Sequence, residues 1–348
     1  RRALWPGSHW WLGRGDAVVT PAQRVSAVQV FGFTERQARF LVTAMLNGGV
    51  CVVRQYCAFV GIERGQVTHD FFGGLVARKF ASRYLDAHRR FVIFHVHHKA
   101  LYAAIGEPDS RFRKPTPLPA AVERLMVLDA VLQRPDVHWL ATEREKVAHF
   151  TKTLGTAFRR EDLPHLVFGQ PPCTTTRYFF DKLPIGVADE GAVHLFPYLV
   201  TRESPLDFRA FLHRHAELLR ALRSWRLWLL VPSHLAKAAD TFRDVAHEEL
   251  ASPLRPAVAD ELLWFFRASD APPPPRSAES SRFAQARHAF SAPRYRRLYR
   301  TWRQMGRSCV DATVSRTLAD AVERGLGQVN VHVLPHAYRH LSPLVGTA

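Results

Sequence analysis

The 348-residue chain has few cysteines, only Cys51, Cys57, Cys173 and Cys309. None forms a C-x-x-C pair. This argues against a disulfide framework or a cysteine zinc site and fits a reducing compartment, so a cytoplasmic location is expected. No run of about 18 apolar residues exists, so no membrane-spanning helix is expected. No internal repeat is seen. The N-terminus lacks an apolar signal core: Arg1 and Arg2 lead into a Trp-rich, interrupted stretch. Residues 1–30 read as an irregular segment outside the expected fold. Acidic side chains are scarce too, 31 against 48 Lys and Arg, a formal charge of +17. That excess favours polyanionic partners, nucleic acid first and an anionic membrane surface second. GC-rich coding also enriches Arg, Ala, Pro and Leu, so charge alone does not identify the partner.

What is present divides the chain. Residues 31–107 pass from helical to strand periodicity. A Pro-rich joint follows over 108–119. Residues 120–268 alternate helix and strand signals. The stretch Ala271-Pro272-Pro273-Pro274-Pro275-Arg276-Ser277 marks a linker over 269–280 that no regular element crosses. Residues 281–348 read as a basic helical tail.

The first block reads as a winged helix-turn-helix. Thr34-Glu35-Arg36-Gln37 is a capping box, with Ala38, Leu41, Val42, Met45 and Leu46 as an apolar stripe behind it. Asn47-Gly48-Gly49 stops that helix. A short helix over 53–60 points Tyr56, Phe59 and Val60 inward, and Gly61 ends it. A third helix is expected over 64–78, with Val67, Phe71, Phe72, Leu75 and Val76 as its core face. Its other face offers Arg64, Gln66, Thr68, His69 and Asp70. The period then changes to two, over 82–85 and 91–96, around a polar turn at 86–90. Such a third helix lies in the major groove with its N-terminal residues at base edges. Specificity is therefore expected from Arg64, Gln66, Thr68 and His69. Phosphate contacts are expected from Arg54, Arg78, Lys79, Arg83 and the wing tip, Arg89 and Arg90. Residues 31–107 carry ten basic and five acidic side chains, in keeping with that role. Winged helices also serve as protein-interaction modules, so a scaffold role stays open.

Phe94-His95-Val96-His97-His98 supports a different chemistry. A strand puts His95 and His97 on one face, as in nicking endonucleases that hold a divalent ion between histidines. Tyr102 would be the nucleophile. The preceding sequence reads as helices, whereas such a domain requires strands. Otherwise the histidines end the wing strand.

The second block begins with a helix over 120–133, carrying Val122, Leu125, Met126, Leu128, Ala130 and Val131. A short strand at 138–140 and a capped helix from Thr142 to Leu154 follow. Strands are expected at 165–168, 175–180 and 193–200. A long helix then runs to Trp225, with Pro205 at its first position, before a strand at 226–231. Three strands, helix, strand is the element order of the restriction-endonuclease-like core. An active member needs metal-binding carboxylates on the second and third strands. The third strand here has neither carboxylate nor Lys, and Pro197 suggests an edge. Asp181-Lys182 and Asp189-Glu190 do not complete the set. An inactive nuclease-like scaffold or a generic α/β domain is expected, with no catalytic residue, no cofactor and no metal.

The expected fold class is therefore α+β or α/β: a winged helix, a nuclease-like α/β domain and a basic helical region. In the last of these, residues 281–310 hold eight Arg and no Asp or Glu. Arg296, Arg300, Arg303 and Arg307 share a helical face, interleaved with Tyr295, Tyr299 and Trp302, a composition suited to phosphate and base stacking.

Residues 34–41, the helix over 65–80, the hairpin ending Phe94-His95-Val96-His97, Arg177-Tyr178-Phe179-Phe180-Asp181-Lys182-Leu183 and the strand-helix unit over 194–222 carry a family resemblance. Over about 30–265 the chain resembles the replication-relaxation family of plasmid and integrative-element proteins. The acidic residue which that family carries on the strand before the long helix is missing here. The resemblance implies binding of double-stranded DNA in mobile-element replication, transfer or its transcriptional control, with other mobile-element proteins as partners.

Overall fold

The computed structural model describes residues 19–84, 92–169 and 173–338, and the chain is an α+β protein. The wing tip, Arg89 and Arg90, lies outside the described residues.

Its first module starts earlier than expected. Residues 20–29 are not irregular: Thr20 caps α1 (Pro21–Gln29) through a full capping box with Gln23. Then come α2 (Glu35–Leu46), β1 (Val50–Val52), α3 (Val53–Val60), α4 (Gln66–Ala77), β2 (Ala81–Arg83), β3 (Ile93–Val96) and α5 (Lys99–Ala104). Thr34 caps α2 as its sequence predicts. Strand β1 is not anticipated by the sequence reading. It pairs antiparallel with β3, which also pairs with β2, giving the order β1-β3-β2. Gly49 permits the entry into β1. Its φ is +74°, and a Cβ there would meet the Tyr102 hydroxyl and the Phe112 carbonyl at 2.7 Å. The core of α2, α3 and α4 is aromatic, with Tyr56 stacked on Phe71 at 4.5 Å.

The Pro-rich joint is not a free linker. Phe112 packs against the first module, and its carbonyl meets His95 Nε2 at 2.8 Å. Next come α6 (Leu118–Leu132), β4 (His138–Leu140), α7 (Glu143–Leu154), β5 (His165–Phe168), β6 (Thr175–Tyr178), β7 (Ile185–Ala188), β8 (Val193–Leu199), α8 (Leu206–Ala221), β9 (Trp225–Val231) and α9 (Ala239–Leu250). Helix α6 is buried on nearly every side. It lies between the small sheet, through Val50, Val52 and Ile93, and the large one, through Leu199 and Leu230. Each such apolar side chain contributes about 1.5–3 kcal/mol.

Two of the expected core strands do not join the core. β5 and β6 form a separate, mostly exposed two-stranded ribbon. The strand beside β8 is instead β7, which the sequence reading passes over. Trp225, expected as the end of a helix, is fully buried as the first residue of β9.

The basic tail is not a tail. Helices α10 (Pro256–Asp270), α11 (Ala278–Ala289), α12 (Pro293–Met305), α13 (Ser308–Val314) and α14 (Thr317–Glu323) lead to β10 (Gly327–Val333). Leu262, Phe266, Phe290, Leu298 and Val310 form a core of their own across α10–α13. Strand β10 then completes the large sheet, in the order β10-β9-β8-β7-β4. β8, β9 and β10 are parallel, and β7 is antiparallel to both neighbours.

Strand β8 is thus central over 193–195, while at Pro197 it is paired on one side only among the described residues, a local edge. Pro197 is tolerated because β7 pairs with β8 only over 193–195. Past that point β8 has a neighbour on one side only among the described residues, so the missing N–H breaks no ladder there.

Candidate nucleic-acid interface

Helix α4 presents its N-terminal end outward. Arg64, Gln66, His69 and Asp70 are exposed, as expected. Val67 is 64% exposed, so it belongs to this face and not to the core. Thr68 is a correction in the other direction. It is buried, and its hydroxyl caps the helix, accepting from Gly65 N at 3.1 Å and donating to Gly65 O at 2.7 Å. A side chain holding that cap cannot reach a base edge. Asp70 pairs locally, accepting from Gln66 Nε2 at 2.6 Å and lying 3.7 Å from His69 Nδ1. Further along, Gly73 and Gly74 leave open space where side chains would stand.

The expected phosphate contacts separate into bound and free cations. Arg54 is not available: it makes a bidentate pair with buried Asp129 at 2.6 and 2.7 Å. Asp129 also accepts from the Tyr338 hydroxyl at 2.5 Å. This triad ties α3 to α6 and to the chain beyond β10. Arg78 is exposed, but its guanidinium donates to the Phe31 carbonyl and lies over the Phe33 and Phe80 rings. Lys79 and Arg83 are exposed and make no ion pair among the described residues. Arg36 and Arg39 on α2, unexpected as contacts, are also exposed, and their positions off the apolar stripe signal it.

The nicking constellation does not assemble. His95 is buried and held by the Phe112 carbonyl. Burial lowers its pKa, and burial followed by His98 and Arg113 lowers that of His97. Tyr102 is fully buried, and its hydroxyl donates to Val96 O at 3.2 Å. Burial raises its phenol well above the usual range. A nucleophile needs an exposed, activated oxygen, and Tyr102 is a core residue. Among the described residues no three His, Cys, Asp or Glu side chains are grouped to hold a metal ion.

Within the α/β region, the gap where β7 and β8 part is lined by Asp181, Phe196, Pro197, Phe211 and His215. Asp181 lies 3.7 Å from His215 Nε2. Lys146 is fully buried there, donates to Leu183 O at 2.5 Å and is lowered to about 8 by that burial. β8 brings Phe196 and Tyr198 to this side and no carboxylate. Nearby, His149 and His194 meet Nε2 to Nε2 at 2.9 Å. Burial, then His149, lowers His194 to about 4.

The α12 arginines fare differently from expectation. Arg296 donates to Ser291 O, Arg303 lies 3.9 Å from Asp270, and Arg307 lies 3.2 Å from Asp311 and 3.8 Å from Asp260. Arg307 also stands beyond the helix end, which Gly306 sets. Arg300 alone of the four is exposed without a partner among the described residues.

No family model matches the chain, and no characterised protein or solved structure is significantly similar to it. Among the described residues no helix is long and apolar enough to cross a membrane.

Proposed function

We propose that the chain is a DNA-binding protein whose first module is a winged helix, with α4 in the major groove. The observation that carries this is the uncovered N-terminal face of α4, where Arg64, Gln66, Val67 and His69 stand exposed together. Arg and Gln read guanine and adenine edges, and an apolar side chain suits a thymine methyl. The strand between α2 and α3 and the order β1-β3-β2 support the reading. Lys79, Arg83, Arg36 and Arg39 supply phosphate contacts. The second region is read as an inactive scaffold that keeps only part of the restriction-endonuclease-like element order, since β5 and β6 stand outside its main sheet. The family resemblance suggests a role in mobile-element replication or transfer, in the cytoplasm.

The test is duplex binding by fluorescence anisotropy, on a selected site and a scrambled one, across salt concentrations. A steep salt slope and a preference for the selected site are expected. Affinity without salt dependence would leave a protein-interaction module instead.

A further inference from the structure

The two ends of the large sheet are unlike. β4 closes one end with three residues, and β10 closes the other with seven. The other edge strands among the described residues, β1, β2, β5 and β6, are three or four residues long. Folds keep an edge from joining a second sheet by making it short, by charging it or by placing proline in it. β10 has none of these devices. Its sequence, Gly327-Gln328-Val329-Asn330-Val331-His332-Val333, contains no Pro, Asp, Glu, Lys or Arg. Burial lowers the pKa of His332, so it is uncharged near neutrality. Among the described residues no strand pairs with the outer side of β10.

The direction of its backbone groups follows from the ladder. The Leu326 carbonyl accepts from Trp225 N, and Leu334 N donates to the Val231 carbonyl. Even-numbered residues of this stretch therefore turn their polar groups toward β9. Those groups alternate sides along a strand, so Gly327, Val329, Val331 and Val333 point theirs outward. Their N–H and C=O groups form one half of a ladder. Val329 and Val331 pack their side chains toward the core that holds Trp225 and Leu227. Gln328, Asn330 and His332 lie on the opposite face, beside Arg226 and Trp228.

Charge and register identify the chain that supplies the other half. The protein carries +17, so two copies repel over most of their surfaces. β10 is an uncharged strip, along which two copies meet without like charges directly opposite. The strand is also complementary to itself. Turned antiparallel about a two-fold axis at Asn330, it sets Val329 opposite Val331 and Gly327 opposite Val333. All four are outward residues, so each pair exchanges both its hydrogen bonds. Gln328 then faces His332, and Asn330 faces its own copy. Val333, 47% exposed, gains cover beside a glycine.

We propose that β10 pairs antiparallel with β10 of a second copy of this chain, about a two-fold axis at Asn330. Two five-stranded sheets become one continuous sheet. The pairing is independent of the DNA-binding reading and is tested without DNA.

The experiment uses the full chain, with sedimentation velocity for mass and thermal melting for folding. Wild type should be a dimer. Asn330 is exposed, so Asn330→Lys and Asn330→Asp should both fold. Each alone should sediment at half the wild-type mass, because like charges meet at the axis. Mixed in equal amounts they should recover the dimer, since Lys then faces Asp. The second measurement oxidises Asn330→Cys and, separately, Gln328→Cys. A non-hydrogen-bonded pair sets its Cα atoms about 4.5 Å apart, within disulfide reach. Peptide mapping should find position 330 linked to its own copy and position 328 unlinked, because 328 faces His332. A monomeric wild type overturns the proposal. So does a dimer that persists in both charged variants, or a mixture that stays monomeric. A link at 330 no more frequent than at 328 overturns it as well, and that mapping decides if a charged variant fails to fold.

Discussion

The entry to α4, with exposed Arg64, and helix α12, with five arginines, differ in what faces their cations. On α12 Arg303 lies near Asp270 of α10, and Arg307, just past the helix end, lies near Asp260 and Asp311. Around α4 no element among the described residues covers the outer face, and its one acidic residue, Asp70, is engaged by Gln66. The difference teaches that arginine density is a poor guide to an interface. A surface cation already paired with a carboxylate must lose that partner before meeting a phosphate, whereas an unpaired one loses only water. The first module adds a third class, cations that hold the molecule together. Arg54 and Arg24 are of that kind, and the second joins α1 to α7 through a buried pair with Glu145.

The sharpest way to break this classification is Arg24→Ala. Glu145 would stay buried without its countercharge, keeping only its cap bonds to Ala141 and Thr142. Unfolding by denaturant should show a loss of about 3 kcal/mol, the lower end for a broken buried pair. A loss under about 1 kcal/mol, the scale of an exposed pair, would put Arg24 with the surface arginines.

A cation that must not form comes next. Unfolded histidine takes up a proton near pH 6.5, and folded His194 only near pH 4. Between these values the unfolded chain binds more protons. Stability is therefore full above about pH 6.5 and falls as pH drops toward 4, by up to about 3 kcal/mol. His194→Gln should flatten that fall; an equally steep profile would assign it to other groups.

Arg64→Ala should weaken binding to a selected duplex by about 1–3 kcal/mol, with a smaller loss on a scrambled one. Equal losses on both would make Arg64 a backbone contact. Arg303→Gln should change duplex affinity by less than about 0.5 kcal/mol, as its charge is shared with Asp270. A loss as large as that of Arg64→Ala would erase the contrast between the two helices.

Local signals in the sequence carried a large part of the fold. The capping boxes at Thr34 and Thr142 start helices where they predict them. Gly61 ends α3 with φ +71°, as an isolated glycine after an apolar stripe should. Strands β3, β8 and β9 follow from runs rich in Val, Leu and aromatics. What failed were assignments that depend on a remote neighbour. β1 is three residues long and went unassigned between the Gly48-Gly49 stop and the helix at 53, because Val50, Cys51 and Val52 are too few for a periodic signal until β3 pairs with them. β7 is four residues containing Gly186, too short for a periodic signal. β10 alternates clearly but sits behind five helices, and nothing local says that it returns to β9. In the candidate site, Gln66 and His69 were legible as outward positions, while Thr68 was not. A threonine three residues past a glycine N-cap serves the cap or the groove, and only its buried position decides.

By itself, then, the sequence determined where helices start and stop, which strands are apolar enough to be buried, and a surplus of positive charge. Those properties depend on residues three or four apart, or on composition. The tertiary structure alone decided which cations are spoken for. Arg54 finds Asp129 75 residues away, Arg24 finds Glu145 121 away, and Tyr338 reaches the same Asp129 across 209. Over such separations no local pattern links the partners. The fold therefore settles that Arg64 stands exposed at the entry to α4 while Arg24 and Arg54 are held in pairs.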